Sequence, residues 1–341
     1  MLNRLYRLVS PRVIEPVEEQ VELKADSVVV RPTHLSICNA DQRYYQGTRA
    51  PEALANKLPM ALIHEGIGRV VYDATGAFEP GTRVVMVPNA AVEKDDVVAE
   101  NYLESSKFCG SGFDGFMQEL VTLPANRVLA LPEEIDLRVA AFTELVSVVV
   151  HAIGRFDDIA HARRETIGVW GDGNMGFIVA LVLRTLYPDM NIVVFGRNSY
   201  KLADFTFVDT TTLTSVIPDG LTVDHAFECC GGEGSASAIA QIIDLIKPEG
   251  TISLLGVSEN PIPMNTRMIL EKGLRVFGSS RSGRVDFERT LQLYRNNPQM
   301  VAYLQSLVGA VVGVSSVKDM ATAFAIDARK PMGKTIIEWN M

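Results

Sequence analysis

The stretch ETIGVWGDGNMGFIVALVLRTLY, residues 165–187, decides the fold. It opens with an unbroken apolar run of strand length and closes with apolar residues at helical spacing. Between them sits a G-x-G-x-x-G turn made by Gly171, Gly173 and Gly176. A glycine-rich turn alone can be purely structural. With a buried strand before it and an apolar helix after it, the same turn is the context a dinucleotide needs. Gly171 permits the sharp turn, Gly173 lets the backbone approach a pyrophosphate, and Gly176 lets helix pack closely on strand. Asn174 and Met175 open the helix, whose free N–H groups face the phosphates.

Outward toward the C-terminus, strand and helix patterns alternate. NIVVFG, TVDHAFECC, GTISLLG and LRVFGSS read as strands and SASAIAQIIDLIK as a helix, which predicts a doubly wound parallel sheet, an α/β Rossmann domain. The end of its second strand decides the cofactor, because an acidic residue there would bind a ribose 2′-hydroxyl and repel a 2′-phosphate. Here the residues are Gly196-Arg197. The guanidinium of Arg197 suits a phosphate, with Ser199 and Lys201 near it in the chain, so NADP(H) is expected. The loop of residues 228–232, ECCGG, brings Cys230 to the same edge of the sheet. Cys229 and Cys230 read as small packing residues rather than as metal ligands or a redox pair.

Toward the N-terminus, from about residue 21 to 130, short β-rich runs broken by turn residues (SVVVRPTHLSI, HEGIGRVVYD, GTRVVMVP, FMQELVTLPANRVLALP) predict a mostly β module. LRVAAFTELVSVVVHAIGRF carries helical periodicity, and a crossing helix near 142–155 is expected to join the two parts. After Gly283 come an amphipathic stretch, VDFERTLQLYRNNPQMVAYLQSLV, a helix-like DMATAFAIDARK and a strand TIIEWNM expected to rejoin the first module. The expected domains are therefore 1–148 with 280–341, and 149–279. No internal repeat or low-complexity tract interrupts them.

Composition narrows the function. The chain has 341 residues, 47% hydrophobic and 21% charged, which suits about two folded domains and excludes disordered and fibrous classes. No apolar run reaches the roughly 18 residues of a membrane span, and the N-terminus lacks a signal-peptide core, so a cytoplasmic protein away from membranes is expected. A net charge of −9 with no basic run argues against nucleic acid as a partner. Four irregularly spaced cysteines, Cys38, Cys109, Cys229 and Cys230, make no disulfide framework, and reduced thiols are expected.

In the β module, Cys38 lies in HLSICNAD and His64-Glu65 in LPMALIHEGIGRVV. Thiolate, imidazole and carboxylate are the ligand types of zinc, and a catalytic ion needs about three of them with one position open. A lone buried cysteine or a His-Glu pair at a strand edge also occurs as plain structure. Taken by themselves, these residues leave metal binding open.

ICNAD, HEGIGRV after an apolar stretch, GTRVVMVP, DGFMQE, TELVSVVVHA, GDGNMG and GKTIIEW follow one another as in the zinc-dependent medium-chain dehydrogenase/reductases, and the chain resembles that family over nearly its whole length. The resemblance implies a GroES-like, mostly β catalytic domain beside the Rossmann domain, in a homodimer or homotetramer. It implies Cys38 and His64 as catalytic zinc ligands, Glu65 as the adjacent carboxylate on or behind the metal, and Glu144 as the further acidic ligand of the polyol dehydrogenase branch. Tyr44, in DQRYYQGTR, resembles a tyrosine placed beside the metal, where it orients substrate or a relay water. Two departures are visible. Residues 88–115 hold only Cys109 where the family often has four cysteines, so one catalytic zinc and no structural zinc is expected. Ala40 stands where alcohol dehydrogenases carry the Ser or Thr of a proton relay, so the relay here must differ.

Arg43, Arg49 and Lys57 follow Cys38 closely in a protein that is acidic overall, which suits an anionic substrate. Together with CNADQRYYQGTR, ENYLES, the missing cysteines and Arg197, they resemble the ribitol-5-phosphate dehydrogenases of teichoic-acid and capsule biosynthesis. That implies NADPH-dependent reduction of the phosphosugar D-ribulose 5-phosphate to D-ribitol 5-phosphate, with a cytidylyltransferase as functional partner making CDP-ribitol. Two other readings stay open: a sorbitol-like polyol dehydrogenase acting on an uncharged ketose, and a non-catalytic NADPH-binding protein.

Overall fold

In the computed structural model, which describes residues 1–341, the glycine turn leaves the middle of a six-stranded parallel sheet. The strands run in the order Thr210–Leu213, Asn191–Gly196, Thr166–Trp170, His225–Glu228, Thr251–Leu254 and Arg275–Gly278. Chain order reverses between Thr166–Trp170 and His225–Glu228, and a crevice at the carboxyl ends of the strands is expected at such a point. Helices Asn174–Leu186 and Gly234–Leu245 bury their apolar faces on the sheet. Trp170 stacks on Phe195 at 3.8 Å, and Val193, Ile239, Ile242 and Ile252 complete that core. The strand Thr210–Leu213 was not legible in the sequence. It is a short, polar edge strand, so it carries neither apolar run nor strict alternation.

In the β-rich part, the long strand Ser27–Ile37 is the organiser. It pairs antiparallel with Glu65–Asp73, Val121–Pro124 and Lys334–Trp339, and the last of these pairs in parallel with Val308–Val314. A hairpin of Leu2–Ser10 and Val13–Gln20 forms a second sheet with Met60–Ala61. Its second strand, VIEPVEEQ, is largely exposed and charged, which hides it from a search for apolar runs. Helix Val317–Arg329 sends Phe324 onto Tyr45, the rings stacked at 4.2 Å. The amphipathic stretch after Gly283 is two helices, Arg284–Asn296 and Pro298–Gln305. Pro298 lacks the N–H that would continue the first and serves as the first residue of the second.

The chain forms two units, residues 1–147 with 282–341, and residues 148–281. The division falls inside helix Thr143–Ile159. No helix is long and apolar enough to cross a membrane.

Candidate metal centre and dinucleotide site

Cys38 ends the strand Ser27–Ile37 and caps the helix Asn39–Gln46, while Glu65 begins the neighbouring strand opposite Ser36. This register brings two segments together that lie far apart in the chain. The Cys38 sulfur, a His64 ring nitrogen and a Glu65 carboxylate oxygen all lie within 4.8 Å of one another. His64 Nδ1 and Glu65 Oε2 are buried without a hydrogen-bond partner. Buried polar atoms are rarely left so, and a soft–hard donor set of sulfur, nitrogen and oxygen fits a zinc ion.

Two residues that sequence reasoning did not single out organise this pocket. The fully buried Asp41 accepts the backbone N–H of Cys38 at 3.0 Å and that of Ile63 at 2.9 Å, so one carboxylate ties both ligand-bearing segments. It also lies 3.7 Å from His64 Nδ1. Lys334, from the C-terminal strand, donates to Glu65 Oε1 at 2.8 Å with both side chains buried. Asp41 stands within ICNAD and Lys334 within GKTIIEW, but nothing local says that Lys334 meets a residue 269 positions away.

Charge in the pocket follows from burial and neighbours. Burial disfavours the His64 imidazolium, yet Asp41 and Cys38 outweigh it and hold its pKa well above the ordinary value. Lys334 behaves alike: burial lowers its pKa, while Glu65 and Cys38 raise it further, so the ammonium stays charged. Glu144 is not part of the three-residue ligand group. It is buried nearby, and burial lifts its carboxyl to about 7, with His64 opposing and Glu65 adding to the rise. Three carboxylates and a thiol against one lysine and one histidine leave an excess of acidic groups for a divalent ion to neutralise.

The structure also gathers part of the basic segment. Tyr44, 1% exposed, lies on the helix Asn39–Gln46 with the Arg49 guanidinium 4.7 Å and the Lys57 ammonium 5.8 Å from its ring centre. Arg43 precedes Tyr44 on the same helix and is half-buried, as is Ala40, while Asn39 at the helix start is exposed.

The dinucleotide turn is built from backbone. Gly171 has φ +136°, a region side chains rarely adopt, and a Cβ at Gly176 would come 1.9 Å from the Gly171 carbonyl oxygen. A Cβ at Gly173 would meet nothing, so this face of the turn stands clear for a ligand. A cavity of about 230 Å³ lies there, lined by Arg197, Lys201, Cys230, Asp172, Thr214 and Gln241 among others. Ser199, on the short helix Ser199–Leu202, is not among its lining residues, nor are Asn174 and Met175, which open the helix after the turn. Asp172 explains how Arg197 is placed. Its carboxylate accepts the backbone N–H groups of Arg197 and Asn198, both at 2.8 Å, and the Asn198 side chain at 3.0 Å. Buried Glu228 does the same for the next loop, accepting from Cys230 N, Gly231 N, Ser235 Oγ and Gly256 N. Burial first and Glu228 second push the Cys230 thiol up to about 12, so it is protonated, and all four cysteines are free.

Residues 24–133 match the alcohol dehydrogenase GroES-like domain and residues 183–296 the zinc-binding dehydrogenase domain. Over the full length of both chains, the protein is 53% identical to a ribulose-5-phosphate reductase of Bacillus spizizenii and 52% identical to ribulose-5-phosphate reductase 1 of Staphylococcus aureus. It superposes on the crystal structure of S. aureus TarJ in complex with NADPH with a TM-score of 0.89 and 47% identity, again covering both chains completely. Likeness of this extent, in a chain whose sulfur, imidazole and carboxylate converge as a zinc ion requires, places it in the zinc-binding alcohol dehydrogenase family, beside the ribulose-5-phosphate reductases.

Proposed function

We propose that this protein reduces D-ribulose 5-phosphate to D-ribitol 5-phosphate with NADPH and a zinc ion held by Cys38, His64 and Glu65. The convergence of those three donors, in a chain aligned end to end with reductases of that name, carries the reading. When bound, zinc supplies a Lewis acid for the ketone oxygen and NADPH the hydride for its carbon, so that ketose, NADPH and one proton give the secondary alcohol and NADP⁺. Asp41 fixes the backbone on which Cys38 and His64 sit, and Lys334 holds Glu65 in place by donating to its Oε1. Glu144 is buried near them, and burial raises its carboxyl pKa. The proton for the new hydroxyl reaches it by a route that Ala40 cannot provide, and Tyr44, six residues after Cys38, is our candidate to orient substrate or a relay water.

In the other unit, Arg197 and Lys201 take the 2′-phosphate, Gly171, Gly173 and Gly176 admit the pyrophosphate to the helix end formed by Asn174 and Met175, and Cys230 lines the floor. Ser199 assists from the loop side. The basic residues Arg43, Arg49 and Lys57 serve the sugar phosphate. The product suits a cytidylyltransferase making CDP-ribitol for teichoic acid or capsule, in the cytoplasm, with the reductase as a homodimer or homotetramer.

NADPH oxidation by zinc-loaded protein, with D-ribulose 5-phosphate beside D-ribulose, fructose and D-xylulose 5-phosphate, tests this. Turnover confined to D-ribulose 5-phosphate is expected. Equal turnover of the neutral ketoses would return the chain to the general polyol dehydrogenases, and NADPH binding without turnover of any ketose would remove the enzymatic reading.

A further inference from the structure

Lys57 is a half-buried ammonium in an acidic protein that forms no ion pair: it donates to the Ser111 hydroxyl at 3.0 Å and lies against the ring of Tyr44. Arg49 lies against the same ring. One buried aromatic ring thus meets two cations, and the ammonium of Lys57, which has no carboxylate partner, is the one open to an anion. Ser111 is carried by a tight loop in which Gly110 has φ +68° and Gly112 φ +91°. A Cβ at Gly110 would lie 3.4 Å from the Ile63 backbone and 3.5 Å from His64 Nδ1, and one at Gly112 would lie 3.6 Å from Lys57 Cγ, so the loop runs close beside both. One loop therefore touches the candidate metal ligand at one end and the unpaired lysine at the other. Asp114 anchors it by accepting from Arg7 and from the backbone N–H of Ala61.

We infer that Lys57, Ser111 and Arg49 form the subsite for a phosphomonoester dianion, with Tyr44 as the platform that holds the two cations beside the metal pocket. An ammonium, a hydroxyl and a planar guanidinium match three phosphate oxygens. The inference rests on the substrate reading above and sharpens it: of the basic residues after Cys38, it selects two, and it adds a serine from a different segment. It also gives Tyr44 a role that depends on its ring rather than its hydroxyl.

The test is the ratio of kcat/KM for D-ribulose 5-phosphate to that for D-ribulose, measured on zinc-loaded enzyme. Lys57→Ala should lower that ratio about ten- to a hundredfold, as expected for a lost hydrogen bond between charged groups, mostly through KM. Lys57→Arg should restore most of it, and Ser111→Ala should show a smaller loss in the same direction. Tyr44→Phe should keep the ratio and Tyr44→Leu lower it. A ratio unchanged in Lys57→Ala overturns the subsite. If the wild type turns over neither ketose, the substrate reading has failed and the subsite is judged by binding alone. With NADPH saturating, inorganic phosphate should raise the melting temperature of the wild type and not of Lys57→Ala, and an equal shift in both overturns the inference.

Discussion

In the dinucleotide crevice, the groups proposed to meet a ligand are largely backbone: a positive-φ glycine, a glycine with open space at its Cβ, and helix N–H groups. In the metal pocket they are side chains from segments spread across the chain, Cys38, His64-Glu65 and Lys334, with Asp41 and Glu144 around them. The first construction needs only a short run of residues to be read in order. The second exists only once a sheet has set its register. Carboxylates have different tasks in the two places. Asp172 and Glu228 hold loop backbone, whereas Glu65 and Asp41 hold charge and ligand geometry.

The contrast breaks most visibly at the metal. Cys38→Ser should strip zinc from the protein and lower turnover by about a thousandfold or more, because the metal supplies several kcal/mol of transition-state stabilisation. Metal analysis and NADPH oxidation read both effects, and full zinc content with wild-type turnover would show that the side-chain pocket is not the metal site. NADPH binding should survive this change, since the crevice owes nothing to Cys38.

A smaller effect is expected where the crevice does depend on a side chain. Arg197→Ala should raise KM for NADPH about tenfold or more and leave KM for NADH nearly as it was, as a lost charge-assisted hydrogen bond to phosphate implies. Equal changes for both cofactors would mean that Arg197 acts on the loop and not on the 2′-phosphate.

The smallest effect concerns the frame beneath the turn. His225 sits opposite Ile167 on the strand beside the glycine turn, with the His161 ring 4.3 Å away. Burial first, then His161, with Arg164 adding and Asp224 and the Arg163 carbonyl opposing, lower its pKa to about 4. Between that value and the ordinary 6.5 the unfolded chain binds a proton that the folded chain refuses, so stability contributed by neutral His225 is lost as pH falls from about 6.5 to 4. Denaturant midpoints measured from pH 8 to pH 5 should therefore fall less steeply for His225→Gln than for the wild type. Parallel profiles would contradict this.

How much of each region was legible follows from its construction. The turn at Gly171, Gly173 and Gly176, the strand before it and the helix after it were all readable because their signals are contiguous. Arg197 was readable because it follows a strand end. Cys38 and His64 were readable as ligand types, but their convergence depends on the pairing of Ser36 with Glu65, which no local pattern states. Asp41 and Lys334 were passed over for the same reason, as was Ser111, whose partner Lys57 lies on another segment. The edge strand Thr210–Leu213 escaped because polarity on an exposed edge resembles a loop.

The strand Lys334–Trp339 pairs Thr335 with Ile37 and Ile336 with Ser36, directly beside the residue that offers sulfur. A ribosome delivers Cys38, His64 and Glu65 long before Lys334, which follows Glu65 by 269 positions. A nascent chain thus holds its donors without the ammonium that balances them and without the strand that fixes their sheet. The finished metal pocket is consequently a record of synthesis past residue 334: a chain released short of it carries the three donors without Lys334 and its strand.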